Sequence, residues 1–250
     1  MDVLYAGDSK LRVNQHYVGA DTFETVQQPV RDYEPLLEAL DAIPSASVDH
    51  LDSLSAIENF PRSVEELSEY DVLILSDITR GTLEPHFPPE AIPGPNIIKN
   101  IKTFVERGGA LVYCGGWMTF QGYQGTGNWQ GTPVETALPV EIRPVYDDRV
   151  ERPEGASVTI EDNQHPITSA QESKQFPDVY GYNKTGELRP DSRSLATVDG
   201  HHLLAVREVA EGRSVVYASD PGPKWGLDLI DWTQYAEFWE QIIMWAHRIE

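Results

Sequence analysis

The chain has 250 residues, with 40 acidic against 19 basic side chains, a net charge of −21 and a single cysteine. That length supports one large domain or two small ones, with a core that needs no covalent staples. One cysteine excludes an internal disulfide and any cysteine-built zinc cluster, and the lack of a basic patch argues against binding nucleic acid or anionic membranes.

The acidic excess is spread along the chain and not gathered in a tail. It fits a halophilic protein in a salt-rich cytosol, where screening suppresses repulsion between carboxylates and a dense acidic surface holds water. The start "MDVLYAGDSK" enters an apolar strand without the basic region of a signal peptide. No apolar run approaches the ~18 residues of a membrane span. The expectation is a soluble cytoplasmic protein.

In chain order, "DVLYAG" (2–7), "ASVDHLD" (46–52), "DVLILSD" (71–77) and "GALVYCG" (109–115) read as strands. The first, third and fourth are almost continuously apolar, as parallel strands covered on both faces are. Helical patterns lie between them at 32–43, 63–70 and 96–109. In the last, Ile97, Ile98, Ile101, Phe104 and Val105 form one stripe, and Gly108 follows as a stop. This alternation predicts a doubly wound α/β core.

Beyond residue 138 the character changes. "VEIRPVYDD" (140–148) and "ASVTIED" (156–162) read as strands joined by a polar turn, and 194–220 reads as three strands. "LLAVREV" and "RSVVYAS" flank "AEG", a hairpin signal. The chain closes on an amphipathic helix at 231–250, whose Trp232, Tyr235, Phe238, Trp239, Ile242, Ile243 and Ala246 face the sheet. With no repeat and no low-complexity linker, residues 1–250 read as a single domain with insertions.

Ligands of open α/β sheets bind beyond the carboxyl ends of the parallel strands. Four stretches leave those ends: the long polar loop 7–23, the proline-rich loop 76–96, the segment "ALVYCGGWMTFQGYQGTGNWQG" (110–131) and "SDPGPKWG" (219–226). Their polar candidates are Asp8, Ser9, His16, Asp21, Asp77, Thr79, Thr119, Asn128 and Asp220. Their aromatic candidates are Tyr17, Phe23, Trp117, Phe120, Trp129 and Trp225. Asp8 and Asp77 directly follow strands, where a carboxylate also serves as a local cap. Gly115 and Gly116 allow a tight turn that could bring N–H groups close to a ligand. A ligand-binding set of Asp8, Ser9, His16, Asp21, Asp77, Gly115, Gly116, Trp117 and Trp225 follows. A metal site from Asp8, His16, Asp21 and Asp77 lacks recognised ligand spacing, so no metal and no cofactor is expected. His165, held extended before Pro166, reads as structural, and His201 and His202 as solvated strand residues.

The phrases "GGALVYCGGWMTFQGYQGTGNWQGTPVETALPVEI", "GDS…HYVGADTF", "HPIT" and "HLLAVREVAEGRSVVYASDPGPKWG" are similar to those of the glutamine amidotransferase-like family, over almost the whole chain. The family sits in the class I glutamine amidotransferase-like superfamily. The resemblance implies a flavodoxin-like three-layer sandwich, mostly parallel, here with an antiparallel hairpin extension before the last helix. It implies no established reaction. Working amidotransferases of the superfamily carry a cysteine on a sharp strand-to-helix turn, with a histidine and a glutamate two residues apart after a late strand. Here that late strand ends "VVYASDPGPKWG", and no His-x-Glu occurs anywhere in the chain. Cys114 is followed by glycines and a glycine-rich loop in place of a helix.

Three functions stay open at this point. The first is a non-catalytic or cryptic member of the superfamily that binds a small polar ligand or a partner subunit, with Cys114 structural. The second is a hydrolase or amidase in which His16 is the general base, oriented by Asp8 or Asp21, with Cys114 as an alternative nucleophile. The third is a self-assembling protein with loops as interfaces, so a homo-oligomer stays open as a partner. An imidazole within ~3 Å of both a carboxylate and a nucleophile would mark the enzyme.

Overall fold

The computed structural model describes residues 1–84, 94–169 and 176–248. Its centre is an eight-stranded sheet. Five strands run parallel in the order Ser47–Leu51, Asp2–Gly7, Val72–Ser76, Ala110–Cys114, Gly212–Tyr217. Three more, His201–Val209, Ser192–Val198 and Val158–Ile160, extend it antiparallel. The parallel order is the flavodoxin-like one, with its switch point between Asp2–Gly7 and Val72–Ser76.

The unbroken apolar runs follow from burial on both faces. Val3 and Tyr5 pack with Leu36, Leu40 and Trp239 on one side, and Leu4 and Ala6 with Ile101 and Phe104 on the other. Helices Glu34–Asp41 and Tyr235–Ala246 cover the first face. Helix Ile97–Glu106 covers the second, with all five residues of its predicted stripe buried. Asn96 caps its start by accepting from Lys99 N–H at 2.8 Å. Ser63 and Glu66 form a reciprocal capping box on the short helix Val64–Leu67.

Three expectations change. The 7–23 segment is not a loop: after Ser9–Lys10 it enters a hairpin of Val13–Val18 and Asp21–Val26, every residue of which is exposed. Its two-residue connection holds Gly19 at φ +62°, which suits the turn. Its strands bury no face and show no regular polar–apolar alternation, so periodicity against a core gave no signal. The stretch read as a turn after 148 is the strand Arg149–Ala156, paired with Val179–Asn183. Val140–Ile142 pairs instead with Thr185–Leu188, so it is not joined to the 156–162 strand. The proline-rich part of the 76–96 loop falls largely outside the described residues.

Candidate functional site

The strand ends at the switch point carry acids in a costly backbone shape. Asp8 and Asp77 each follow a central strand, and both have positive φ, +49° and +43°. Aspartate tolerates this region better than most residues, and such conformations cluster at functional sites. Gly7 precedes Asp8 at φ +121°, and a Cβ there would lie 1.7 Å from the Ser76 carbonyl oxygen. Only glycine lets these two strand ends come this close. Asp8 N–H donates to that same oxygen at 3.0 Å, and the Tyr5 hydroxyl donates to Asp8 Oδ2.

Lys224, from the segment after the last parallel strand, ties the mouth together. Its ammonium lies 3.1 Å from Asp77 Oδ2, 3.3 Å from Asp32 Oδ2 and 3.8 Å from Asp220 Oδ2. Lys10 reaches the same Asp32 oxygen at 2.7 Å. Four carboxylates and two ammonium groups thus converge from four separate segments. Asp8 and Asp220 are each 1% exposed, while the Lys224 and Lys10 side chains are 26% and 34% exposed. The acids form the floor and the lysines the solvent-facing rim.

Burial pushes the Asp8 carboxyl well above the usual carboxylate range, helped by the charges of Asp220 and Asp77. Burial also raises Asp220 to about 6, although Lys224 pulls the other way. For Lys224, burial alone would weaken the charge, but Asp77, Asp220 and Asp32 outweigh it and hold the ammonium charged. Lys10 is lowered by burial, with Lys224 adding to the shift. Asp8 Oδ1 and Asp220 Oδ2 are buried without a hydrogen-bond partner among the described residues.

The segment after Cys114 forms the wall beside these acids. Gly115 N–H donates to Tyr217 O at 2.7 Å, and Gly116 N–H to Asn183 Oδ1 at 2.9 Å. Gly116 has φ +150°, and a Cβ there would meet Asp77 Oδ1 at 2.5 Å. Met118 N–H donates to that Asp77 oxygen at 2.6 Å. Buried Asp148 accepts from the N–H groups of Gln121 and Gly122 and from Asn183 Nδ2. The two glycines therefore serve close contact with the protein's own acceptors, and their N–H groups are already used.

Other predicted site residues lie elsewhere. His16 Nε2 is 3.0 Å from Thr25 Oγ1, and its ring stacks on Phe23 at 4.7 Å, all on the exposed hairpin. Asp21 and Tyr17 stand on the same hairpin, and no hydrogen bond or ion pair joins His16 or Asp21 to Asp8. Ser9 Oγ accepts from Ser53 N–H at 2.7 Å, fixing the chain just past Asp8. Trp225 is 2% exposed, with Nε1 donating to Glu151 and its ring pressed on Gly181, so it closes the core and not a ligand wall. Phe120 and Trp129 are buried as well, and Thr79 caps the short helix Arg80–Leu83. Thr119 is buried, whereas Asn128 is exposed at φ +54°. Trp117 is 36% exposed and stacks on Tyr123, with Arg149 over both rings. His165 is buried against Trp245, and His201 and His202 are half-buried on their strand.

Cys114 is fully buried, and its thiol is pushed well up by burial and then by Asp8 and Asp220. No histidine is paired with it among the described residues. His50 approaches the mouth, but its Nε2 lies 3.3 Å from the Gly7 carbonyl and its ring packs on Tyr5 and Tyr33.

The sequence reading missed Asp32, Lys10, Lys224, Asp148 and Asn183. Lys224 lay inside a segment already marked as leaving a strand end, and a lone lysine among acids there was the available signal. Asp32 looked like a helix start, and nothing local pointed Asp148 or Asn183 inward. Among the described residues, no three His, Cys, Asp or Glu side chains are arranged to hold a metal ion, and no helix is long and apolar enough to cross a membrane.

Several solved structures share this fold. A cytoplasmic protein of Salmonella typhimurium is 29% identical, with 98% of this chain and 99% of that one covered and a TM-score of 0.90. A second cytoplasmic protein, from Salmonella typhimurium LT2, is 30% identical, with the same coverage and TM-score. A ThuA-like protein of Bacteroides uniformis shares the fold alone, at 12% identity and a TM-score of 0.56 over 98% of this chain and 90% of that one. No curated protein matches the chain. The family described as "Putative glutamine amidotransferase" matches residues 2–248, and the chain belongs to that family.

Proposed function

We propose that this protein binds a small polar ligand at the carboxyl-end mouth of its parallel strands and does not work as a Cys–His–Glu glutaminase. The observation that carries this reading is Lys224, seated within 3.1–3.8 Å of Asp77, Asp32 and Asp220. Four segments distant in sequence spend buried charge on one spot at the switch point. Replacing such an ion-pair set by apolar residues is often neutral or stabilising, so stability alone does not explain it. The hydrolase reading built on His16 loses its geometric support, because that imidazole meets a threonine and a phenylalanine on the hairpin.

Thermal-shift screening of neutral, cationic and anionic metabolites tests the reading. A ligand at ~100 times its Kd adds about 2.7 kcal/mol, roughly 5–11 °C in a chain of this size. The shift should vanish in Lys224→Met and Asp77→Asn, and glutaminase activity should be absent. Glutamine hydrolysis that disappears in Cys114→Ser would refute the proposal.

One observation favours a second reading, self-assembly. The hairpin Val13–Val26 exposes Val13, Tyr17, Val18, Phe23 and Val26 at 51–74%. An isolated two-stranded ribbon is marginal in water, so a second copy of the chain would stabilise it. Light scattering on the intact chain and on a variant with residues 13–26 replaced by a short glycine linker decides the matter. A monomer in both cases removes this reading.

A further inference from the structure

The mouth holds more negative than positive charge. Among the described residues, Asp8, Asp32, Asp77 and Asp220 face only Lys10 and Lys224, a deficit of two positive charges if every acid is ionised. The imbalance is concentrated at two buried atoms, Asp8 Oδ1 and Asp220 Oδ2, neither of which has a hydrogen-bond partner within normal geometry among the described residues, although the Ser76 hydroxyl lies beside the Asp8 carboxyl. Asp220 Oδ2 is turned toward the rim, 3.8 Å from the Lys224 ammonium. Buried acceptors without donors are costly, and buried charges without partners more so. The same acids already seat one ammonium, so their spacing is shown to suit that group.

Resting on the ligand-binding reading above, we propose that the ligand is a small organic cation, an amine carried as ammonium, which takes its place against Asp220 and Asp8 behind the lysine rim. An anion such as a phosphate or carboxylate would meet uncompensated acids, and a neutral polyol would satisfy the acceptors but leave the charge. Without the amine, one proton on the Asp8 and Asp220 pair reduces the repulsion, since neighbouring buried carboxylates do not both ionise readily. The amine replaces that proton, so binding releases it.

Other groups shape the same titration. Tyr5 donates to Asp8, the Ser76 hydroxyl favours its ionised form, Asp220 and Asp77 oppose it, and Asp77, Lys224 and Asp32 act on Asp220. Cys114, Tyr217 and Tyr235 also face the acids, but burial keeps all three protonated at neutral pH. The proton exchanged therefore belongs to the carboxyl pair. With Asp220 raised to about 6, amine affinity should rise as pH increases up to that range and level off above it.

The test uses the full chain with ethanolamine and 1,3-diaminopropane as amine probes, glycerol as the neutral probe and acetate and phosphate as anions, all at matched ionic strength. Both amines should raise the melting temperature, and calorimetry in buffers of different ionisation heat should show proton release. Amine affinity should rise about fivefold from pH 5 to 6, as displacement of one proton held at about 6 requires. Asp220→Asn should abolish the shift, while Glu154→Gln, which removes one exposed charge elsewhere, should leave it. A shift that survives Asp220→Asn reports amines on the acidic surface and overturns the proposal. A shift with glycerol or an anion but not with amines also overturns it, while leaving the ligand site itself standing. Amine binding without proton release at pH 5–6 overturns the displacement step.

Discussion

Replacing Asp220 by asparagine should change how stability depends on pH, in a direction fixed by burial. Asp220 titrates at about 6 in the folded chain against an ordinary 3.8. A raised carboxyl favours folding most at low pH, where both states are protonated. That contribution is lost as pH rises from about 4 through 6, because the folded state must then ionise a buried acid while the unfolded chain ionises freely. Two pH units correspond to about 3 kcal/mol in total, of which about 2 kcal/mol falls between pH 4.5 and 8. Asparagine keeps the carbonyl oxygen that accepts from Gly222 N–H at 2.7 Å and the volume of the side chain. It cannot ionise. Urea unfolding of both proteins at fixed ionic strength gives the difference in stability at each pH. Relative to Asp220→Asn, the native protein should lose about 2 kcal/mol over that range, or roughly 4–8 °C in melting temperature. Asp8 titrates in both proteins, and its own elevation shrinks once Asp220 is neutral, which enlarges the difference. A flat difference curve would refute the reasoning. A curve that rises with pH would show that Lys224, and not burial, governs Asp220.

The remaining expectations concern the wall, the thiol and the surface. Gly116→Ala should cost on the order of 2 kcal/mol or more by chemical denaturation and weaken ligand binding, because the new Cβ would lie 2.5 Å from Asp77 Oδ1. Cys114 should resist iodoacetamide at neutral pH in the native state and react once unfolded, because burial and two acids suppress its thiolate; rapid stoichiometric labelling of the folded chain would contradict this. Raising salt from about 0.1 M to about 2 M should raise the melting temperature, since the Debye length falls from ~10 Å to below ~3 Å; equal melting temperatures would remove the idea that the charge of −21 repels itself.

The parallel core was legible because burial on both faces leaves a plain record. Val72–Ser76 and Ala110–Cys114 contain no exposed position, so their sequences have no polar alternation to obscure them. The candidate site was half legible. Asp8 and Asp77 stand where the topology puts ligands, and strand ends can be counted from the sequence. Lys10, Asp32 and Lys224 join them through contacts spanning 22 to 147 residues, and no local pattern encodes such a closure. His16 misled for the opposite reason. A histidine and an aspartate in one polar stretch look like a catalytic pair, but a hairpin carried both away from the buried acids. Trp225 misled because a tryptophan beside a strand end serves a core as readily as a cleft.

The turn after Cys114 bears on the proposed preference of the mouth for positive charge. In the enzymes that the family resembles, a thiolate sits at this turn and free N–H groups of the following helix hold an oxyanion. Here that helix is absent, and acceptors of the chain itself occupy the amides. Tyr217 O takes Gly115, Asn183 takes Gly116, Asp77 takes Met118, and Asp148 takes Gln121 and Gly122. Amides that would stabilise a negative intermediate instead fix two carboxylates, one of which points its other oxygen at Lys224. The thiol then lies among acids that oppose its ionisation. Restoring a histidine alone would therefore not restore an amidotransferase: the imidazolium would pair with Asp8 or Asp220 before it stabilised a thiolate, and the developing oxyanion would meet filled donors. The same electrostatics that oppose an anionic transition state support the proposed ammonium ligand.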